Sequence, residues 1–183
     1  MKRPVPSLPC WCLAGLLVLA APATADELGE VQRLQSFGQT AAALQRVERA
    51  LAAQPKDPQM RFLHGVLLTE SQRAVDAVDV FQRLTQDYPE LPEPYNNLAA
   101  IYAAAGDYDR AKVALEQSLR ANPDFATAHE NMGDVLAMLA SRSYARALQL
   151  EPNSATVPAK LALVRQLVAP RAGASATAPV GAR

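Results

Sequence analysis

Residues 92–125 read PEPYNNLAAIYAAAGDYDRAKVALEQSLRANPDF, and this stretch decides the fold. Two amphipathic helices flank a turn at Gly106 and Asp107, glycine being the strongest local signal that a helix ends and the chain is redirected. Small side chains at Ala99 and Ala111 let the two helices approach closely, while Tyr95, Leu98, Tyr102 and Leu115 fill the space between them. Pro123 closes the unit, because it has no N–H to donate and disfavours helical geometry at Asn122.

A step of 34 residues finds the pattern again. Residues 58–91 place Gly65, Leu68, Ala77, Phe81 and Pro89 in register, with Arg61 and His64 at otherwise apolar places and Gln72 instead of the turn glycine. Residues 24–57 match at Leu34, Gly38, Ala43, Val47, Ala50 and Pro55, and put Glu27 and Glu30 at apolar places, as suits an exposed terminal unit. On these residues the chain resembles the tetratricopeptide repeat (TPR) family, whose pattern is met at Tyr95, Leu98, Ala99, Tyr102, Ala111, Leu115, Ser118 and Pro123. The resemblance, to short secreted bacterial TPR proteins, implies an all-α fold, a TPR-type α-solenoid in which helix pairs wind into a right-handed superhelix.

The fourth unit, from Ala126, lacks its turn. Met132, Gly133 and Leu136 hold the first-helix places, and Ala140, Tyr144, Ala147 and Pro152 the second. Only three residues separate Leu136 from Ala140, where the third unit has eight between Tyr102 and Ala111. No Gly, Pro or Asn lies between Asp134 and Leu150 to favour a reversal. At about 100° per residue Met132, Val135, Leu136, Leu139, Ala140, Tyr144 and Ala147 are expected on one broad face. The expectation is one continuous helix from about Thr127 to Gln149, a tight turn at Ser141 to Ser143 being the alternative. Its second half leaves Tyr144 and Leu148 uncovered, and PAKLALVRQLV from Pro158 supplies a capping helix with Leu161, Val164, Leu167 and Val168 for burial.

Composition agrees with a helical chain, 50% hydrophobic but only 5% aromatic. Lys2 and Arg3 precede the apolar run WCLAGLLVLAA, which ends in APATA, the layout of a secretory signal peptide. Cleavage is expected after Ala25, with Ala23 as the fallback, and would remove Cys10 and Cys12, leaving a mature chain without thiol or disulfide. The expected organisation is a signal peptide over 1–25 and a TPR domain over 26–168, with units about 26–57, 58–91, 92–125 and 126–154 and the capping helix about 157–168. An Ala-, Gly- and Pro-rich tail over 169–183 is expected to be disordered. After processing, 16 basic residues stand against 18 acidic ones with no basic run, which excludes nucleic acid as a partner, and no later stretch is long enough to span a membrane.

No catalytic, metal or cofactor constellation stands out, so the reading is not that of an enzyme. His64 and His129 fall at inward first-helix places, and Glu130 with Asp134 reads as solvated acidic surface. The resemblance implies instead a concave wall of first helices that binds an extended peptide or a partner's helix. That wall would present Gln32, Phe62, Val66, Thr69, Asn96, Asn97, Ala100, Glu130, Asn131 and Asp134. Asn97 and Asn131, 34 residues apart, resemble the asparagine ladder of superhelical TPR proteins, in which each amide can donate to and accept from a peptide backbone, with inter-helix capping as the alternative. The basic residues of the family's carboxylate clamp are missing. The expected role is a protein-interaction adaptor of the bacterial cell envelope, located in the periplasm, with a holdase-like chaperone for unfolded secreted chains as the alternative. The C-terminal helices are a candidate surface for self-association.

Overall fold

The computed structural model describes residues 23–169. Residues 1–22, which hold the expected export signal up to Pro22, and residues 170–183 of the expected tail lie outside the described residues. The described chain is eight helices in sequence: α1 (Ala23–Ser36), α2 (Thr40–Ala53), α3 (Pro58–Glu70), α4 (Ala74–Asp87), α5 (Pro92–Ala104), α6 (Tyr108–Ala121), α7 (Ala126–Leu150) and α8 (Val157–Val168). The expected cleavage site lies in the first turn of α1.

The repeat is visible in its turns. One residue at each reversal takes left-handed backbone: Gly38 at φ 70°, Gln72 at φ 61° and Gly106 at φ 77°. The next residue returns its N–H to a carbonyl five positions back, Gln39 to Leu34, Arg73 to Leu68 and Asp107 to Tyr102, each at 2.9 Å. These bonds satisfy carbonyls that the ending helix leaves open. Glycine adopts the left-handed conformation without penalty, whereas Gln72 carries a Cβ into it. The second helices end as regularly. Gln54, Tyr88 and Asn122 cap α2, α4 and α6, each before a proline, and Glu151 caps α7 before Pro152. The first three caps are 34 residues apart and the last only 29, so the five-residue deletion is written into the register.

Starts are equally local. Asp57 accepts from the N–H groups of Gln59 and Met60 at 2.9 and 3.1 Å ahead of Pro58, and Asp107 accepts from Arg110 at 3.1 Å. Such caps satisfy donors that have no partner inside the helix.

Two contiguous clusters form the core. Val31, Ala43, Val47, Met60, Leu63 and Leu67 pack the first units. Leu68, Ala77, Phe81, Leu98, Ala99, Ile101, Ala111, Ala114, Leu115, Ala128 and Val135 pack the rest. Ser118, at a small-residue position, is fully buried and donates from Oγ to the Pro92 carbonyl at 2.8 Å. Arg61, at an otherwise apolar place, pairs with Asp87 at 2.6 Å.

The continuous fourth-unit helix is found, running from Ala126 to Leu150, but its faces differ from the expectation of one broad face. Ala128 and Val135 are buried against α5 and α6, with Met132 and Leu139 packed beside them. Tyr144 lies nine residues after Val135, about half a turn round the helix, and faces α8, where the Lys160 ammonium stands 6.0 Å from its ring. The helix is held between the stack on one side and α8 on the other, so two opposite faces are used in succession. Leu136 falls between them and is 45% exposed. On α8, Leu161 is buried and Val164 and Val168 are half-buried, but Leu167, expected inside, is exposed because it lies off the face those three share. Arg142 ties the projecting half of α7 to the start of α6 through Asp109 at 2.7 Å.

Candidate functional site

The first helices of successive units lie side by side, α3 against α5 and α5 against α7. Two side-chain bonds cross between such helices: Gln35 Nε2 donates to Glu70 Oε1 at 2.7 Å, and Asn131 Nδ2 donates to Asn96 Oδ1 at 2.8 Å. Both join residues 35 apart rather than 34. Successive first helices are therefore offset, and the nearest neighbour of one position is the position after its equivalent in the next unit.

This offset corrects the expected ladder. Asn131 bonds Asn96, not Asn97, and Asn96 is only 5% exposed, so it is not an open wall residue as expected. Asn97 turns back on its own helix and donates to the Glu93 carbonyl at 2.9 Å. The Asn96–Asn131 bond uses one donor and one acceptor, leaving Asn96 Nδ2 and Asn131 Oδ1 without partners among the described residues. Turning both amides over exchanges the roles and still leaves one donor and one acceptor. That set matches the N–H and C=O of a peptide backbone.

The remaining expected residues fall in two groups. Phe62 and Val66 are half-buried and pack on the core, the Phe62 ring lying 5.8 Å from that of Phe81. Thr69, Ala100, Glu130 and Asp134 are exposed, as is Gln32, and Thr69 donates from its hydroxyl to the Gly65 carbonyl at 2.9 Å. Val66, Ala100 and Asp134 occupy one repeat position and so follow one another along the wall. Glu93 joins Glu130 and Asp134 as a third carboxylate, and no Lys or Arg occurs on α5 or before Arg142 on α7, so this end of the wall is anionic. Glu93 and the Gln35–Glu70 bond escaped the sequence reading, which assumed a strict 34-residue step. A search at 35 residues would have found the bond.

The histidines part company. His129 is exposed rather than inward, its Nε2 standing 2.8 Å from the Pro123 carbonyl at the entrance to α7. His64 is half-buried, 3.9 Å from Glu48, and burial holds its pKa below the ordinary histidine value against the opposing pull of Glu48. Among the described residues no group of three or more His, Cys, Asp or Glu is placed to hold a metal ion.

Two tetratricopeptide repeat models match the sequence, over residues 28–92 and 68–139. The chain belongs to the tetratricopeptide repeat family. Among solved structures, a thermophilic TPR protein of Thermus thermophilus is similar at 24% identity and TM-score 0.60, over 79% of this chain and 82% of that one. A TPR protein of Parabacteroides merdae is similar at 18% identity and TM-score 0.61, over 81% and 60%. The first TPR of Spaghetti (RPAP3), bound to the HSP90 peptide SRMEEVD, is similar at 15% identity and TM-score 0.59, over 63% and 92%. At these identities the likeness is one of fold. No curated protein matches the sequence. A TPR solenoid is in general a protein–protein interaction scaffold, and among the described residues no helix of this one is long and apolar enough to cross a membrane.

Proposed function

We propose that this TPR protein is an exported adaptor of the bacterial cell envelope that holds an extended segment of a protein partner along the wall of α3, α5 and α7. The observation that carries the reading is the Asn96–Asn131 pair, whose free donor and acceptor can grip a peptide group whatever its side chain. Exposed Ala100 and half-buried Val66 leave room for a chain to pass, and Phe62 offers it an apolar edge. Export to the periplasm rests on the charged, apolar and small-residue segments that precede α1. The neighbour bound to an HSP90 peptide shows that a TPR domain of this fold can hold a short peptide.

Photo-cross-linking in living cells tests this. A cross-linker at Ala100, on the wall, is expected to capture one dominant envelope protein, and a cross-linker at the exposed Val113 of α6 is not. Capture of many unrelated chains at Ala100 would assign the wall to a holdase. Capture of one protein from Val113 with none from Ala100 would remove the site from the wall altogether.

A further inference from the structure

The inner side of α8 is accounted for by Leu161, Val164 and Val168 against α7, but its outer side is not that of an ordinary solenoid end, which carries polar residues to keep the array soluble. Ala159, Leu163 and Leu167 follow one another at four-residue steps, all exposed, the leucines by 63% and 76%. Lys160 lies beside this row, and Arg165 lies on its other side, about 160° round the helix from both leucines. Both cations are exposed, and α8 contains no acidic residue. The approach of Lys160 to Tyr144 fixes the antiparallel register of α7 and α8. Seven residues further on, Leu167 is level with Ala137 and its exposed neighbour Leu136, so the apolar surface continues onto α7.

Charge is divided along the chain at the same place. All 18 acidic residues lie within 26–151, while 152–183 carries four basic residues and no acidic one. A second copy of α8 is a poor cover for this face, since it would bring only cations against Lys160 and Arg165. An acyl chain boundary under phosphate headgroups suits both features: leucines enter the boundary, and long basic side chains reach out to the phosphates. We propose that α8 docks the solenoid on an anionic lipid surface, lying in its plane with Leu163 and Leu167 inserted and Lys160 and Arg165 on the phosphates.

Co-sedimentation of the full chain with vesicles tests the assignment, using phosphatidylcholine alone and phosphatidylcholine mixed with phosphatidylglycerol. The apolar run of residues 11–21 is common to every variant, so the informative quantities are the preference for anionic vesicles and its change on substitution. Wild type is expected to prefer the anionic vesicles and to lose that preference in high salt. Lys160→Glu with Arg165→Glu should lower binding to them by about tenfold or more. Leu163→Ser with Leu167→Ser should lower it by a similar factor on loss of the inserted area. All four positions are exposed, and unchanged circular dichroism verifies the fold of each variant. Equal binding to both vesicle types, or anionic binding that neither variant reduces, would overturn the proposal. So would a doubled mass without vesicles that the leucine variant abolishes, because the face would then belong to a second copy.

Discussion

Glycine occupies the same repeat position at residues 65 and 133, and alanine at the two should act in opposite directions. At Gly65 an added Cβ would stand 2.6 Å from Cε1 and Cζ of Phe81, whose side chain is fully buried. At Gly133 it would meet nothing within 4 Å, since the fused helix has no partner where the second unit seats Phe81. Both substitutions gain the helix propensity of alanine over glycine, about 0.5 to 1 kcal/mol. Only Gly65→Ala also meets overpacking, which costs about 1 to 3 kcal/mol in a closely packed core. Gly133→Ala should therefore raise stability by the propensity term, and Gly65→Ala should lower it by about 1 kcal/mol. The difference between the two isolates the packing term, because the propensity gain cancels. Urea denaturation followed by circular dichroism measures both. Equal stabilisation by the two alanines would show that Phe81 moves aside freely and that the close approach of α3 and α4 is not what requires glycine at 65.

Gln72→Gly should stabilise the fold by about 1 kcal/mol by relieving a left-handed glutamine, as read from the denaturation midpoint, while Gly106→Gln should cost a similar amount. Asn131→Ala should weaken partner binding by about 1 to 3 kcal/mol in calorimetric titration, whereas Asn97→Ala should leave it unchanged, since Asn97 is engaged by its own helix. His64 has a folded-state pKa below its unfolded value, so the unfolded chain takes up protons first and stability falls as pH falls through the ordinary histidine range. Denaturation midpoints compared between about pH 7 and about pH 5 should show that loss in wild type and a smaller one in His64→Gln.

The helices, their turns and the fused fourth unit could all be read from the sequence because each is set locally. A left-handed residue, a proline after a cap and a buried small side chain have local consequences, and the 34-residue step repeats them. What the sequence did not yield depends on how one helix lies on the next. The offset of successive first helices is a property of packing, and a strict 34-residue alignment put Asn97 where Asn96 belongs. The faces of α7 were misjudged for a related reason. Periodicity shows which residues share a side of a helix, but the expectation assumed one covering layer, whereas Val135 and Tyr144 serve two layers on opposite sides. Leu136 and Leu167 are apolar and exposed because neither layer reaches them.

The fused helix also bounds what the wall can hold. Because α7 does not turn back, no second helix returns to seat a further unit, and α8 instead occupies the side of α7 away from the stack. The row of first helices therefore ends at α7 and consists of α1, α3, α5 and α7. Packed helices are about 8 to 10 Å apart, so three intervals give a wall of about 24 to 30 Å. An extended chain covers about 3.3 to 3.6 Å per residue, so a bound segment should contact the wall over about seven to nine residues. With the partner segment in hand, peptides shortened one residue at a time should lose affinity in graded steps once they fall below that length, and longer ones should gain nothing. The loss should be greatest where the residues facing Asn96 and Asn131 are removed, because that pair is the polar contact independent of side chain. Affinity that kept rising well beyond nine residues would mean that the chain runs past α7 onto α8, and the wall would not then be the limit of the site.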